Sequence, residues 1–572
     1  MATTAMSSRF VTSRVPTRCV TSSRVVRATT SFRAVGKQVA SSVNGIGMFS
    51  SRSVVGLGKS APTAFSPLPK KEAIARKSSV TVKATANAVP APAKAPEPYN
   101  GVKIVPALFA ISVGLIVRYV IPMPVGVSPQ GWQLLSIFLA TITGLVAGPL
   151  PVGAWAFCGM TFAVVTKTMT FAQAYSAYLN DVIWLIVIAF FFARGFVKTG
   201  LGDRVATLFV KYLGSSTLGL AYGLTLSEAA IAPAMPSTTA RAGGVYLPII
   251  ASLADNAGSK PNDPSARKLG AYLIQTQLQC AGPSSALFMT AAAQNMLTMK
   301  LGQEVAGIVI ANPWITWLKG ACVPAATALL LTPLLMYWAF PPEIKDTPEA
   351  PKIAEERLKM LGPLSKDEKV VISVMSCALV LWMAGDKFGI APAVTAMMGL
   401  CAFLCTGVLQ WKDCLAETAA WDTLSWFAVL IGMSGMLNQL GVVKLFSDTV
   451  AATLAAASLG PFQCFLVLNT VYFVLHYLFA SQTAQVGALA PAFIGMLIAS
   501  GINPMMAIFS IAYNTNLFGG LSHYASGQSA AYFGKGYVTL PDYFKYGAIF
   551  GFFNFGLFFS LGIAWWKLIG WL

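Results

Sequence analysis

Residues 235–244 read "MPSTTARAGG", and residues 479–488 read "FASQTAQVGA". Each carries Ser-x-Thr-Ala, two further residues and Gly, and each lies inside an apolar stretch. Pro233 and Pro236 before the first cluster break a helix, and Ser237 is a good residue to start another. Ser481 stands in the same position of the second cluster. A helix that stops and restarts in the middle of apolar sequence predicts a hairpin whose tip is inside the protein. Free N–H groups at such a tip, with a partial positive charge behind them, suit a carboxylate without needing a cationic side chain. Two facing tips would suit a molecule with two carboxylates. A single cluster could instead be a place of close helix packing by small residues. A matched pair argues against that.

The surroundings are those of a membrane protein. Hydrophobic residues make up 55% of the 572-residue chain and charged residues 11%, with mean hydropathy +0.64. Runs such as "WLIVIAFFFARGFV" recur at the length a bilayer-spanning helix needs, and a helix pairs its own backbone groups where no water can. The expected fold class is all-α and polytopic.

The net charge of +19 is concentrated at one end. Residues 1–100 hold 15 Lys and Arg against two acids, Glu72 and Glu97; taken from totals of 40 and 21, this leaves 25 basic and 19 acidic residues, a net of +6. A nucleic-acid partner is therefore not expected. Residues 1–84, rich in Ser, Thr and Arg, without an acid before Glu72 and without a compact apolar core, read as a plastid transit peptide. Residues 85–101 read as a Pro/Ala linker. The nine Cys form no CxxC pair, and Cys158, Cys322 and Cys464 are expected to be small buried hydrophobes. With two His in the whole chain, no metal centre is expected, and no cofactor.

The remainder divides into matching halves, 102–340 and 369–572, around a polar connection at 341–368 in which "KIAEERLKML" fits a short amphipathic surface helix. Each half has a Trp-containing apolar helix, ending near Gly200 or Gly441, then an amphipathic stretch, a Ser-x-Thr cluster and a further apolar segment. Each closes on a small, polar break: "AGPSSALFMTAAAQN" (281–295) and "FGGLSHYASGQSAAYFGKG" (518–536). Duplicated halves interrupted at corresponding places point to a secondary transporter built from repeats, here expected to be inverted.

Together these stretches, with "IWLIVIAFFFARGFVKTGLG", "YNTNLFGGLSHYASGQ" and "YFGKGYV", resemble the divalent anion:sodium symporter superfamily over essentially all of 100–572. The similarity is to its plastid dicarboxylate transporters, a group that includes the 2-oxoglutarate/malate translocator. The resemblance implies a homodimer in the inner envelope membrane, each protomer with a scaffold and a transport part that moves like an elevator, exchanging malate for 2-oxoglutarate or a related dicarboxylate. Glutamate/malate or oxaloacetate/malate exchange stays open, as does an anion channel.

Carried over, Ser237 and Thr239 match the first Ser-Asn-Thr signature, and Ser481 and Thr483 the second. Thr238 and Gln482 stand where the family has Asn, which weakens any sodium site and implies sodium-independent exchange. The family's later breaks fall near Thr290 to Asn295 and near Ser526 to Gln528. Gln485 stands where relatives often carry His.

Three basic residues belong beside this set. Arg241 could grip a carboxylate or pair with a buried acid. Lys535, after the second break, could attract an anion, and Arg194 reads as structural. "GLGD" (200–203) matches an intramembrane aspartyl protease element. That chemistry needs a second facing Asp, and only Asp181, at a segment end, is near; no enzyme is expected.

Overall fold

The structure, a computed structural model, describes residues 101–571 other than residue 457, and every regular element there is helical. The expected transit peptide at 1–84, and all of the linker but its last residue, lie outside the described residues. Seven helices are long and apolar enough to cross a membrane, and three shorter apolar ones, Ile104–Val120, Val152–Val165 and Pro392–Thr406, accompany them. Helix starts are written locally. Ser128, Asn180, Ser216, Asn503 and Thr539 cap free N–H groups with their side chains, and Pro129, Pro392, Pro461 and Pro504 take first-turn positions whose N–H would be unpaired anyway.

The halves correspond element by element. Pro129–Ala147, Val152–Val165 and Asp181–Thr199 match Lys366–Ala384, Pro392–Thr406 and Thr418–Gln439. The amphipathic Leu201–Leu213 matches Val442–Ala456. A helical hairpin follows in each. The first enters along Thr217–Ile231 and returns through Thr238–Arg241, a π turn and Leu247–Asn256; the second enters along Pro461–Leu478 and returns along Gln482–Ala499. Next come broken helices, Gly270–Leu287 with Ala293–Ala306 and Pro504–Leu517 with Gly527–Phe533, then Pro313–Ala339 and Leu540–Leu568.

Cross-packing between the halves is reciprocal. Val152–Val165 lies on Thr418–Gln439, while the partners of these two, Pro392–Thr406 and Asp181–Thr199, lie on each other. Ala293–Ala306 lies on the second hairpin, and Gly527–Phe533 on the first. Such exchange is what a two-fold relation between repeats produces. Within one repeat the hairpin returns on itself, and five further elements remain, counting each broken helix once and leaving aside the amphipathic helix and Ile104–Val120, which has no counterpart in the second half. An odd number places the second repeat upside down relative to the first, so the repeats are inverted.

The helices form two packing groups: a scaffold of the N-terminal helices of both repeats, and a second group made of hairpins, broken helices and last helices. At one boundary, Leu201–Leu213 packs on Glu349–Leu361 of the polar connection. Ion pairs Asp203–Arg357, Lys211–Glu355 and Arg204–Glu368 tie this layer together. The Asp of "GLGD" is thus held by an arginine in a polar layer.

The cysteines correct one expectation. Cys464 is buried, but Cys158 is exposed and Cys322 only half-buried. Exposed Phe109, Phe162, Trp338 and Phe552 share that outer surface. Where lipid is the solvent, apolar side chains gain nothing from leaving the surface, so apolarity no longer reports burial.

Candidate functional site: two hairpin tips on one cavity

At the first tip the chain leaves its incoming arm through Pro233 and Pro236, and Ser237 restarts the helix. Its Oγ accepts from Ala240 N–H at 3.2 Å. At the second, Ser481 Oγ accepts from Ala484 N–H at 3.3 Å. Each Ser uses its oxygen as an acceptor, which leaves its O–H free to donate. The backbone N–H groups of the first helical residues after each Ser have no partner within their helix.

Both tips line a single cavity of about 480 Å³. Ser237, Thr238, Thr239, Ser481, Gln482, Thr483, Ser526 and Gln528 all face it, together with Gln294 and the helix start at Ala293. The two restarted halves of the broken helices therefore join the two hairpins, so four helix starts surround one space. Gly527 makes the approach possible: a Cβ there would stand 2.5 Å from Thr239 Oγ1.

A chain of amides closes the floor. Gln528 Nε2 donates to Gln482 Oε1 at 3.1 Å, Gln482 Nε2 donates to the Thr515 carbonyl at 2.8 Å, and Thr239 Oγ1 lies 3.4 Å from Gln528 Oε1. Ser526 caps Ser529 N–H but spends its own O–H on the Gly519 carbonyl at 2.6 Å. Thr238 Oγ1 is 3.0 Å from Ser285 Oγ. Among the described residues, the hydroxyls of the lining that have no acceptor are thus those of Ser237, Ser481 and Thr483, with Thr239 held weakly and Thr238 sharing with Ser285 a bond in which either oxygen can donate.

Five expected residues sit elsewhere. Arg241 is fully buried behind the first tip, its Nε 3.2 Å from Glu228 Oε1. Its Nη1 donates to the carbonyls of Met235 and Ala291, and its Nη2 to Ser285 Oγ at 2.7 Å. Thr290 Oγ1 donates to the Pro233 carbonyl at 2.9 Å. Asn295 Nδ2 binds the carbonyls of Ser285 and Phe288, while its Oδ1 accepts from Asn516 across the halves at 2.7 Å. Gln485 Oε1 lies 2.6 Å from His476 Nδ1, and Gln485 Nε2 donates to the Tyr472 carbonyl. Lys535 is exposed, outside the cavity lining. Arg241, Thr290 and Gln485 hold the hairpins from behind, and Asn295 ties the two broken helices together.

Two charged residues at the cavity were not expected there: Arg194 reads from the sequence as structural, and Glu417 is not singled out by it. Arg194, on Asp181–Thr199, lines the space, is exposed, and makes no hydrogen bond or ion pair among the described residues. Glu417 lines it too; burial pushes its carboxyl above the usual carboxylate range, with Arg194 pulling the other way. At the nearby rim, Lys198 hydrogen-bonds Asp413 and holds that carboxyl below its usual range.

Residues 102–572 match the transmembrane region of the sodium:sulfate symporters. The chain belongs to this family. It is 57% identical to the Spinacia oleracea protein named dicarboxylate transporter 2, chloroplastic, over 82% of this chain and 83% of that one. It is 43% identical to the Arabidopsis thaliana dicarboxylate transporter 1, chloroplastic, over 88% and 91%. Its identity to the Bacillus subtilis putative malate transporter YflS is 42%, over 82% and 98%. The resemblance to the divalent anion:sodium symporters is therefore a membership, and it spans both repeats.

Proposed function

We propose that this protein is a secondary active dicarboxylate antiporter of the plastid inner envelope, exchanging malate for 2-oxoglutarate or a related C4/C5 dicarboxylate. The observation that carries the reading is the convergence of Ser237 and Ser481, each with a free O–H, on one cavity. A dianion spanning that cavity meets donors and a helix start at each end, so both carboxylates are satisfied away from water. The names of the chloroplastic and bacterial relatives support the substrate class and the compartment.

Exchange is sodium-independent in this reading. Arg241 already places a fixed cation among the Met235 and Ala291 carbonyls at the first tip, and His476 Nε2 lies 2.8 Å from the corresponding Ala525 carbonyl in the second half. Thr238 and Gln482 spend their polar atoms on protein partners. Carbonyls and amides occupied in this way are poor ligands for a mobile cation.

Transport is by rigid motion of the hairpin group against the scaffold, in a homodimer. Inverted repeats supply the second state, because each repeat can adopt the arrangement its partner now has. The test is labelled malate uptake into proteoliposomes with and without internal 2-oxoglutarate. The antiporter reading predicts uptake that requires the internal dicarboxylate. Uptake that ignores it, accompanied by steady current, would indicate a channel instead.

A further inference from the structure

The scaffold meets the hairpin group at two cavities, and the repeat relation connects them. Asp181 and Gly200 correspond to Asp422 and Gly441, the glycines both ending their helices at φ 75°. The same offset pairs Phe190 with Ile431, Arg194 with Gly435, and Val197 with Asn438. Phe190, Arg194 and Val197 line the cavity that holds the tips, and Ile431, Gly435 and Asn438 line a second cavity of about 600 Å³. Under the rigid motion proposed above, the second cavity is where the scaffold receives the tips.

The two receiving surfaces differ in the charged residues they carry at corresponding positions. The first is lined by Arg194, which makes no hydrogen bond or ion pair among the described residues, and by Glu417; the corresponding positions at the second cavity are the uncharged Gly435 and Ser176, and the Glu304 there lies on a broken helix of the hairpin group, 3.6 Å from Lys300. We propose that Arg194 makes the carrier two-faced, capturing dianions more tightly on the side it lines than on the opposite side. It adds attraction to the hydroxyls and helix starts that travel with the tips. An exposed cation at the mouth of a cavity raises the local concentration and capture rate of an anion, and a dianion gains twice what a monoanion does. On the other side Gly435 stands at the corresponding position, so capture there rests on the hydroxyls and helix starts alone.

This inference rests on the antiporter reading above. Its test uses the full chain in proteoliposomes sorted for one orientation by capture of a C-terminal tag, with malate as the probe. KM is measured separately from each face for the wild type, Arg194→Gln and Arg194→Lys. The expected result for Arg194→Gln is a KM raised roughly tenfold on one face and changed less than twofold on the other. Arg194→Lys should recover most of that loss, and added salt should shrink the wild-type advantage. Because Arg194 makes no hydrogen bond or ion pair among the described residues, a thermal melt of Arg194→Gln should match the wild type. An equal rise on both faces, or none on either, overturns the inference while leaving malate exchange intact. A wild-type protein that exchanges no dicarboxylate overturns the antiporter reading and this one with it.

Discussion

Arg241 and Glu228 form an ion pair at 3.2 Å with both side chains withdrawn from solvent. Gln277 Nε2 and Ser284 Oγ donate to the same carboxylate, and Arg241 spends its other N–H groups on tip carbonyls and Ser285. The pair thus fastens the first hairpin to the first broken helix. Removing one partner leaves a buried charge alone, at a cost of about 3–5 kcal/mol. Glu228→Ala or Arg241→Ala should sharply lower the unfolding temperature in detergent. A Glu228→Gln, Arg241→Gln double variant should lose less than the two alanine variants added together. A normal melt for Arg241→Ala, with KM alone changed, would instead make Arg241 a binding residue.

The hydroxyl assignments separate three serines that look alike in sequence. Ser237 and Ser481 keep a free donor, whereas Ser526 gives its own to Gly519. A hydrogen bond to a charged group is worth about 1.5–3 kcal/mol, so Ser237→Gly and Ser481→Gly should each raise the KM for malate by roughly ten- to a hundredfold. Glycine is the chosen replacement because it costs a helix start only a few tenths of a kcal/mol. Ser526→Gly should act on stability more than on KM. Melting curves beside uptake kinetics check the distinction.

Cation dependence follows from where the carbonyls point. With Arg241 and His476 on the carbonyls behind the tips, replacing sodium by choline on both sides should leave malate exchange within twofold. Abolished exchange would mean that a bound sodium ion is part of the substrate site.

Two glycines at the meeting of the halves have no room for a side chain. A Cβ on Gly282 would stand 2.7 Å from the Asn516 backbone oxygen, so Gly282→Ala must push the two broken helices apart. Overpacking of this kind costs about 1–3 kcal/mol. At Gly527 the obstacle is the Thr239 side chain, which can rotate away. Gly527→Ala should therefore retain most of the stability and lose affinity, and Gly282→Ala the reverse, in paired melts and uptake assays.

Much of this was legible in the chain because its signals are local. Ser with Thr two residues on, preceded by a proline break in the first half only, writes a capped helix restart. Its repetition at 237 and 481 announced two tips, and the breaks at 281–295 and 518–536 lie where the broken helices are interrupted. Orientation was less legible. Arg194 sits in an unbroken apolar helix, and nothing in its neighbours tells which face looks onto the cavity. Arg241 is separated from Glu228 by the tip itself, so their pairing depends on the hairpin closing. The lipid-facing cysteines were misread because apolar sequence means burial only where the solvent is water.

The central claim is that one dianion lies between the two tips, and a structure of the protein with bound malate tests it most directly. The account predicts one carboxylate within about 3 Å of the Ser237–Thr239 turn and the other within the same reach of the Ser481–Thr483 turn. Malate bound with both carboxylates at a single tip, or outside this cavity, would contradict it.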